Sequence, residues 1–295
     1  MAVPTGPTSA DVSRETSAPP AAPRRALSEP TPLPRPTSPV RFVVANQKGG
    51  VGKTTTTVNL AAAMAAGGLR VLVVDVDPQG NASTALGVEH SSGTIGTYEV
   101  LLDDEPIGDH AVQSTESGHL LVVPATIDLA AAELELVNAT GRERRLKRAL
   151  DAYTAEHEVD VVFFDCPPSL GLLTLNALVA ADQIIVPIQT EYYALEGLTQ
   201  LMRTIDRVKV GLNDHLRLGA VLLTMYDSRT KLSQQVADEV MRHFGDQILH
   251  TPIPRSVRVA EAPSFGSSVL TYDPTSAGAE AYRRAAAELA ERLAH

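Results

Sequence analysis

The sequence predicts a doubly wound α/β domain, a mostly parallel sheet with helices on both faces. Three observations carry that prediction. From residue 41 onward, short runs of Val, Leu, Ile and Phe alternate with longer segments of helical period. The short runs are continuously apolar instead of alternating, as strands covered on both faces require. A glycine-rich turn separates the first run from the first helical segment, where such folds bind phosphate.

Residues 1–40 stand outside this pattern. They hold ten of the 20 prolines, many Ser, Thr and Ala, and no apolar period. Such a segment buries too little surface to offset its ordering entropy. We expect a disordered tail over 1–40, with Arg24, Arg25 and Arg35 mostly solvated, and a single domain over 41–295. Strands are predicted at 41–45, 70–75, 119–123, 159–165, 183–188 and 217–223, with a weaker one near 247–250. Helices are predicted near 54–66, 128–138, 142–156, 170–180, 195–210, 231–244 and 276–293.

Composition narrows the function classes. Of the 295 residues, 44 % are hydrophobic, 4 % aromatic and none is Trp, so the core should be aliphatic. Cys166 is the only cysteine, which excludes an internal disulfide and a multi-cysteine metal site and fits a reducing cytoplasm. No apolar run reaches 18 residues, and the N-terminus lacks a signal-peptide core. The net charge of −10 argues against a nucleic-acid partner. The charge is uneven, however: residues 201–260 carry nine Lys/Arg against six Asp/Glu, which leaves room for a locally basic face.

Residues 46–57 read Asn46-Gln47-Lys48-Gly49-Gly50-Val51-Gly52-Lys53-Thr54-Thr55-Thr56-Thr57. Between a strand and a helix this is a phosphate-binding loop. Its glycines let backbone N–H groups turn inward, and the helix N-terminus adds partial positive charge. Lys53 is suited to the β- and γ-phosphates, and Thr54 to a Mg²⁺ ion. Two acids end strands beside it: Asp77, in Asp75-Val76-Asp77-Pro78-Gln79-Gly80-Asn81, and Asp165, in Asp165-Cys166-Pro167-Pro168-Ser169. Asp165 fits the acid that holds Mg²⁺, often through water, so Thr54, Asp77 and Asp165 form the candidate metal group. Asp77 is the better candidate for orienting the attacking water. Asp75 is expected to hold its loop by backbone hydrogen bonds, and Cys166 to pack.

The loop departs from the usual motif, which has Gly where Gln47 stands. Lys-Gly-Gly-Val-Gly-Lys-Thr-Thr, with Lys48 ahead of the glycine pair, resembles the deviant Walker A motif of the ParA/MinD ATPases. The resemblance continues through Val74-Asp75-Val76-Asp77-Pro78-Gln79-Gly80-Asn81 (the family's switch I segment), 187–197, 222–230, 253–264 and Tyr272-Asp273-Pro274, and so covers about residues 41–293. It implies an ATP- and Mg²⁺-dependent ParA/Soj chromosome- or plasmid-partitioning ATPase, slow and partner-stimulated. In that family the early lysine, here Lys48, reaches the nucleotide of a second subunit, so a homodimer forms on ATP. The resemblance also implies that residues 49–55 bind nucleotide, that Asp77 is needed for hydrolysis, and that Met225 and Pro254 wall the adenine. It places Arg229 and Arg258 on non-specific DNA and implies a ParB-like centremere-binding activator and a nucleoid-associated, cytoplasmic protein. Lys231 and Arg255 join the DNA candidates from the locally basic region, with Arg255 alternatively serving the nucleotide pocket.

The alternative inside the superfamily is a MinD-like membrane switch. It needs an amphipathic C-terminal helix, whereas residues 281–295 are Ala-rich with mixed charge and read as a packed helix without membrane contact. A dethiobiotin-synthetase-like ligase would need a substrate pocket that the sequence does not mark. A nitrogenase-reductase-like role needs more cluster-ligating cysteines than Cys166 alone.

Overall fold

The computed structural model describes residues 31–192 and 196–294, excepting the side chains of 196–199. Its strands are β1 (Val40–Val44), β2 (Arg70–Asp75), β3 (Val112–Gln113), β4 (His119–Val123), β5 (Val161–Asp165), β6 (Gln183–Gln189) and β7 (Arg217–Thr224). The helices before β5 are α1 (Lys53–Ala66), α2 (Asn81–Ala85), α3 (Thr97–Leu102), α4 (Ile107–His110), α5 (Leu129–Glu135) and α6 (Arg145–Glu156). After it come α7 (Leu172–Ala180), α8 (Glu196–Gly211), α9 (Lys231–Phe244), α10 (Val257–Glu261), α11 (Val269–Tyr272) and α12 (Ala277–Leu293).

The strands form one sheet in the order β3-β4-β2-β5-β1-β6-β7. All neighbours run parallel except β3, which pairs antiparallel with β4 at one edge. β1 lies between β5 and β6, so the loop after it opens where the winding direction reverses.

Successive strand residues feed opposite layers. Val43, Leu72, Val74, Val162, Phe164, Ile184 and Val221 join the layer filled by α6, α7, α8 and α9. Phe42, Val44, Val71, Val73, Phe163, Ile185 and Leu222 join the other, filled by α1 and α12. That double burial explains why the strands show no polar alternation. α12 buries Ala279, Tyr282, Ala285, Ala286 and Leu289. Small residues there allow close approach to α1, whose own buried face is Leu60-Ala61-Ala62-Ala63-Met64.

Several boundaries differ from the sequence expectation for local reasons. The strand expected from 159 starts at Val161, because Asp160 caps two neighbours: its carboxylate accepts from Arg70 N at 2.7 Å and its carbonyl from Val40 N at 3.1 Å. The strand expected near 247–250 reduces to a bridge between Val221 and Ile248, after a 3₁₀ turn over Gly245–Gln247. The segment 142–156 opens with a 3₁₀ turn over Arg142–Arg144. β3, α2, α3, α4, α10 and α11 were not expected; at two to six residues each they are too short to show a period.

The expected tail ends before residue 40. Leu33 is half-buried beside Gly67 and donates its N–H to the Gly67 carbonyl at 2.9 Å; Arg35 reaches the Gly68 carbonyl at 3.0 Å. The absence of a side chain at Gly67, in the α1–β2 turn, leaves room for the Leu33 side chain. Residues 1–30, Arg24 and Arg25 among them, lie outside the described residues, as do Tyr193, Ala194 and Leu195 of the expected 187–197 segment.

Candidate functional site

The loop from Asn46 to Gly52 joins β1 to α1. Gly50 and Gly52 have φ of +75° and +90°, a region that L side chains enter at a cost of roughly 1–2 kcal/mol. A Cβ on Gly49 or Gly50 would meet nothing within 4 Å, so the concave side of the loop faces open space. Gly52 stands at the N-cap of α1, whose first-turn N–H groups point into that space without a side-chain cap. Backbone conformation, not packing, therefore requires glycine at 50 and 52.

Neighbouring strands hold the loop. The Asn46 amide donates to the Pro187 carbonyl at 2.8 Å while its Oδ1 accepts from Lys48 N at 3.0 Å. Thr224 Oγ1, at the end of β7, donates to the Val51 carbonyl at 2.9 Å. Val51 itself is buried and anchors the loop's middle.

Behind the loop lies a buried charged cluster. Lys53 is 7 % exposed, and its pKa is lowered by desolvation against the opposing pull of Asp165 and Asp77. Asp165 ends β5 with no exposure and accepts from Thr54 Oγ1 at 2.7 Å and Thr57 Oγ1 at 3.1 Å. Burial raises its pKa to about 7. Asp75 pairs with Asp165 across β2 and β5 and is also fully buried; burial, then the Asp165 charge, raise it to about 8. Asp75 accepts from Ser83 N at 2.9 Å, Ser83 Oγ at 2.7 Å and Asp77 N at 3.2 Å. It thus organises the turn that carries Asp77, as expected. Asp77 is 8 % exposed and accepts from Gln79 N at 3.0 Å.

A buried lysine beside two carboxylates and an open ring of backbone donors fits an anionic ligand together with a cation. Thr54 and Asp165 are already joined by a hydrogen bond and fit Mg²⁺ as hydroxyl and carboxylate ligands, the carboxylate directly or through water. Thr55 lies half-buried one residue further along α1. Lys48 sits at the loop's exposed edge, where Nζ pairs with Glu191 at 3.1 Å. Cys166 is buried, and burial raises its thiol well above the usual range, which suits packing and not nucleophilic chemistry.

The remaining candidates gather on two adjoining loops at the same end of the sheet. Met225 follows β7 with φ of +51°, an uncommon conformation for a non-glycine residue. Tyr226 bridges Pro254, and Arg255 N donates to the Tyr226 carbonyl at 3.0 Å, so the 225–231 and 253–258 segments are tied together. Met225 and Pro254 are half-buried; Arg255, Arg229, Lys231 and Arg258 are exposed. Lys231 opens α9, which Thr230 caps by accepting from Ser233 N at 3.3 Å.

Sequence reasoning missed Thr57, Ser83, Asn46, Thr224 and Glu191. Thr57 had a signal: it lies three residues after Thr54, on the same helix face. Ser83 and Thr224 act through contacts made only in three dimensions.

The chain resembles known proteins over most of its length. A family model described as an AAA domain matches residues 41–218. The chromosome partitioning protein ParA of Caulobacter vibrioides (strain NA1000 / CB15N) is 52 % identical over 256 residues, 86 % of this chain and 96 % of that protein. The sporulation initiation inhibitor protein Soj of Bacillus subtilis (strain 168) is 52 % identical over 249 residues, 84 % of this chain and 97 % of that protein. Among solved structures, cobyrinic acid a,c-diamide synthase from Mycobacterium smegmatis, with bound ATP analog and magnesium, superposes with a TM-score of 0.72 at 42 % identity, covering 83 % of this chain and 91 % of that one.

Proposed function

The chain belongs to the ParA/Soj family of chromosome-partitioning ATPases, and from that premise we propose a cycle in which ATP joins two copies into a DNA-holding dimer that hydrolysis takes apart. The observation that carries the proposal is the arrangement of two lysines. Lys53 is buried among Asp165 and Asp77, while Lys48 stands exposed at the edge of the same loop.

Each residue then has a task. The N–H groups of residues 49–54 receive phosphate oxygens, and Lys53 offsets their charge in a partly dry site. Thr54 and Asp165 hold Mg²⁺, which when bound neutralises charge on the phosphoryl oxygens. Asp77 orients the attacking water from a turn that Asp75 and Ser83 fix. Met225 and Pro254 wall the base. Lys48 leaves Glu191 and crosses to the partner's nucleotide, supplying the added cation that phosphoryl transfer needs. Loss of the γ-phosphate then removes what both lysines share, and the dimer opens.

In this cycle DNA binding is independent of sequence and made by Arg229, Lys231, Arg255 and Arg258, doubled in the dimer. A ParB-like protein stimulates turnover, and the protein associates with the nucleoid. A membrane role is disfavoured because the apolar stripe of α12 is spent on α1. Among the described residues no helix is long and apolar enough to cross a membrane.

Asp77→Ala tests the cycle. Turnover should fall at least tenfold while ATP still produces a dimer on size exclusion. Turnover at the wild-type rate would remove Asp77 from the mechanism.

A further inference from the structure

Two of the three arginines assigned to DNA, Arg229 and Arg258, are not free cations in the single chain. Arg229 forms a two-pronged contact with Asp227, Nε to Oδ1 and Nη2 to Oδ2, both at 2.8 Å. Its own N–H also donates to Asp227 Oδ1 at 3.0 Å. Asp227 is held down to about 2 by Arg229, with a smaller pull from Arg255, so it stays ionised at any working pH. Arg258 lies between two acids, Glu261 Oε2 at 3.3 Å and Asp273 Oδ2 at 3.4 Å. Tyr272 donates its hydroxyl to the same Glu261 oxygen at 3.2 Å, and Asp273 N donates to the Val269 carbonyl at 3.0 Å. Both acids of the Arg258 pair are thus steadied by the α11 segment.

We propose that Asp227, Glu261 and Asp273 are built-in counter-charges that compete with DNA phosphate for Arg229 and Arg258, and so keep a single chain off DNA. The inference rests on the DNA-binding reading above. Each arginine already shares its charge with a carboxylate, and that carboxylate stands close to any phosphate the arginine takes. An exposed ion pair is weak in water, so the phosphate contact is feasible but the carboxylate lowers the gain from it. One chain with two such contacts stays below useful affinity. Two chains clamped on one duplex make four, and binding becomes favourable through effective concentration. The acids thereby turn ATP-dependent dimerisation into a sharp requirement for binding, on a chain whose net charge of −10 already repels DNA at long range.

Placement separates this from bulk charge. Asp214 is exposed in the turn before β7, at the opposite end of that strand from the 225–231 loop, and its recorded contact is with His215 at 3.5 Å. Asp214→Asn therefore makes the same change in net charge away from the arginines.

The test is fluorescence anisotropy with two unrelated duplexes, in ATP and in ADP, across a salt series, for the full chain and for Asp227→Asn, Asp273→Asn, the double variant and Asp214→Asn. The double variant should bind DNA about tenfold or more tighter than wild type in ATP and acquire measurable binding in ADP. Its log–log salt slope should steepen by about 0.9 for each phosphate gained. Asp214→Asn should stay within about twofold of wild type. Wild type that binds in ATP while the double variant matches it, or matches Asp214→Asn, would overturn the counter-charge inference and leave the DNA reading intact. Wild type that holds no DNA in ATP would overturn both. Size exclusion with ATP on each variant separates altered DNA contact from altered dimerisation.

Discussion

Lys53 of the phosphate loop and Arg229 and Arg258 of the 225–231 and 253–258 segments are all basic, yet they stand in opposite physical settings. Lys53 is 7 % exposed, and desolvation lowers its pKa. The Arg229 side chain is 87 % exposed and its charge is met by a single neighbouring aspartate. In the buried setting every polar neighbour is fixed, so ligand affinity is set by geometry prepared in advance. In the exposed setting water screens each pair, so binding depends on how many contacts act at once. Lys48, paired with Glu191 at the loop's edge, stands between the two.

That contrast can be broken at its strong end first. Lys53→Ala should lower ATP affinity at least a hundredfold, because the phosphates then face Asp165 and Asp77 without the buried cation. A fluorescent ATP analogue bound with normal affinity would contradict it. Reversing one exposed arginine should do less. Arg258→Glu or Arg229→Glu should weaken DNA retention in ATP about tenfold, read by mobility shift on unrelated duplexes. Full retention by both variants would remove these loops from the DNA face.

A further effect is a pH dependence. Asp75 and Asp165 titrate near 8 and 7 in the fold, both raised by burial from the ordinary 3.8. The folded state therefore holds protons that the unfolded chain has released above about pH 4. Their contribution to stability is full below that value and is lost as pH rises through 7 and 8. Thermal unfolding of nucleotide-free protein in EDTA should show Tm falling from pH 5 to pH 8. Asp75→Asn should flatten that slope, whatever its effect on Tm at one pH. An unchanged slope would contradict the origin assigned to it.

The same contrast explains what was legible in the sequence. The buried site is written as local pattern: glycines at 50 and 52 that take positive φ, a lysine at a helix start, and acids ending two apolar runs. The six parallel strands were readable because burial on both faces leaves no polar residue to interrupt them. Short elements such as β3 and α11 were not, since two or four residues carry no period. Thr224 was hidden because it acts on Val51, brought close only by the sheet, and Ser83 because its contact with Asp75, eight residues back, depends on how the turn between them folds. The tail boundary failed at Leu33, where a single apolar side chain finds a glycine turn. Asp227 and Asp273 were hidden in another way: an exposed acid near an arginine looks like ordinary surface until distances are known.

Coupling between the buried site and the exposed arginines is the central claim, and DNA binding measured with ATP, ADP and no nucleotide over a salt series tests it most directly. The account predicts binding only with ATP, equal on unrelated duplexes, with a log–log salt slope of about −0.9 for each phosphate contacted. Equal binding with ADP and ATP would contradict it.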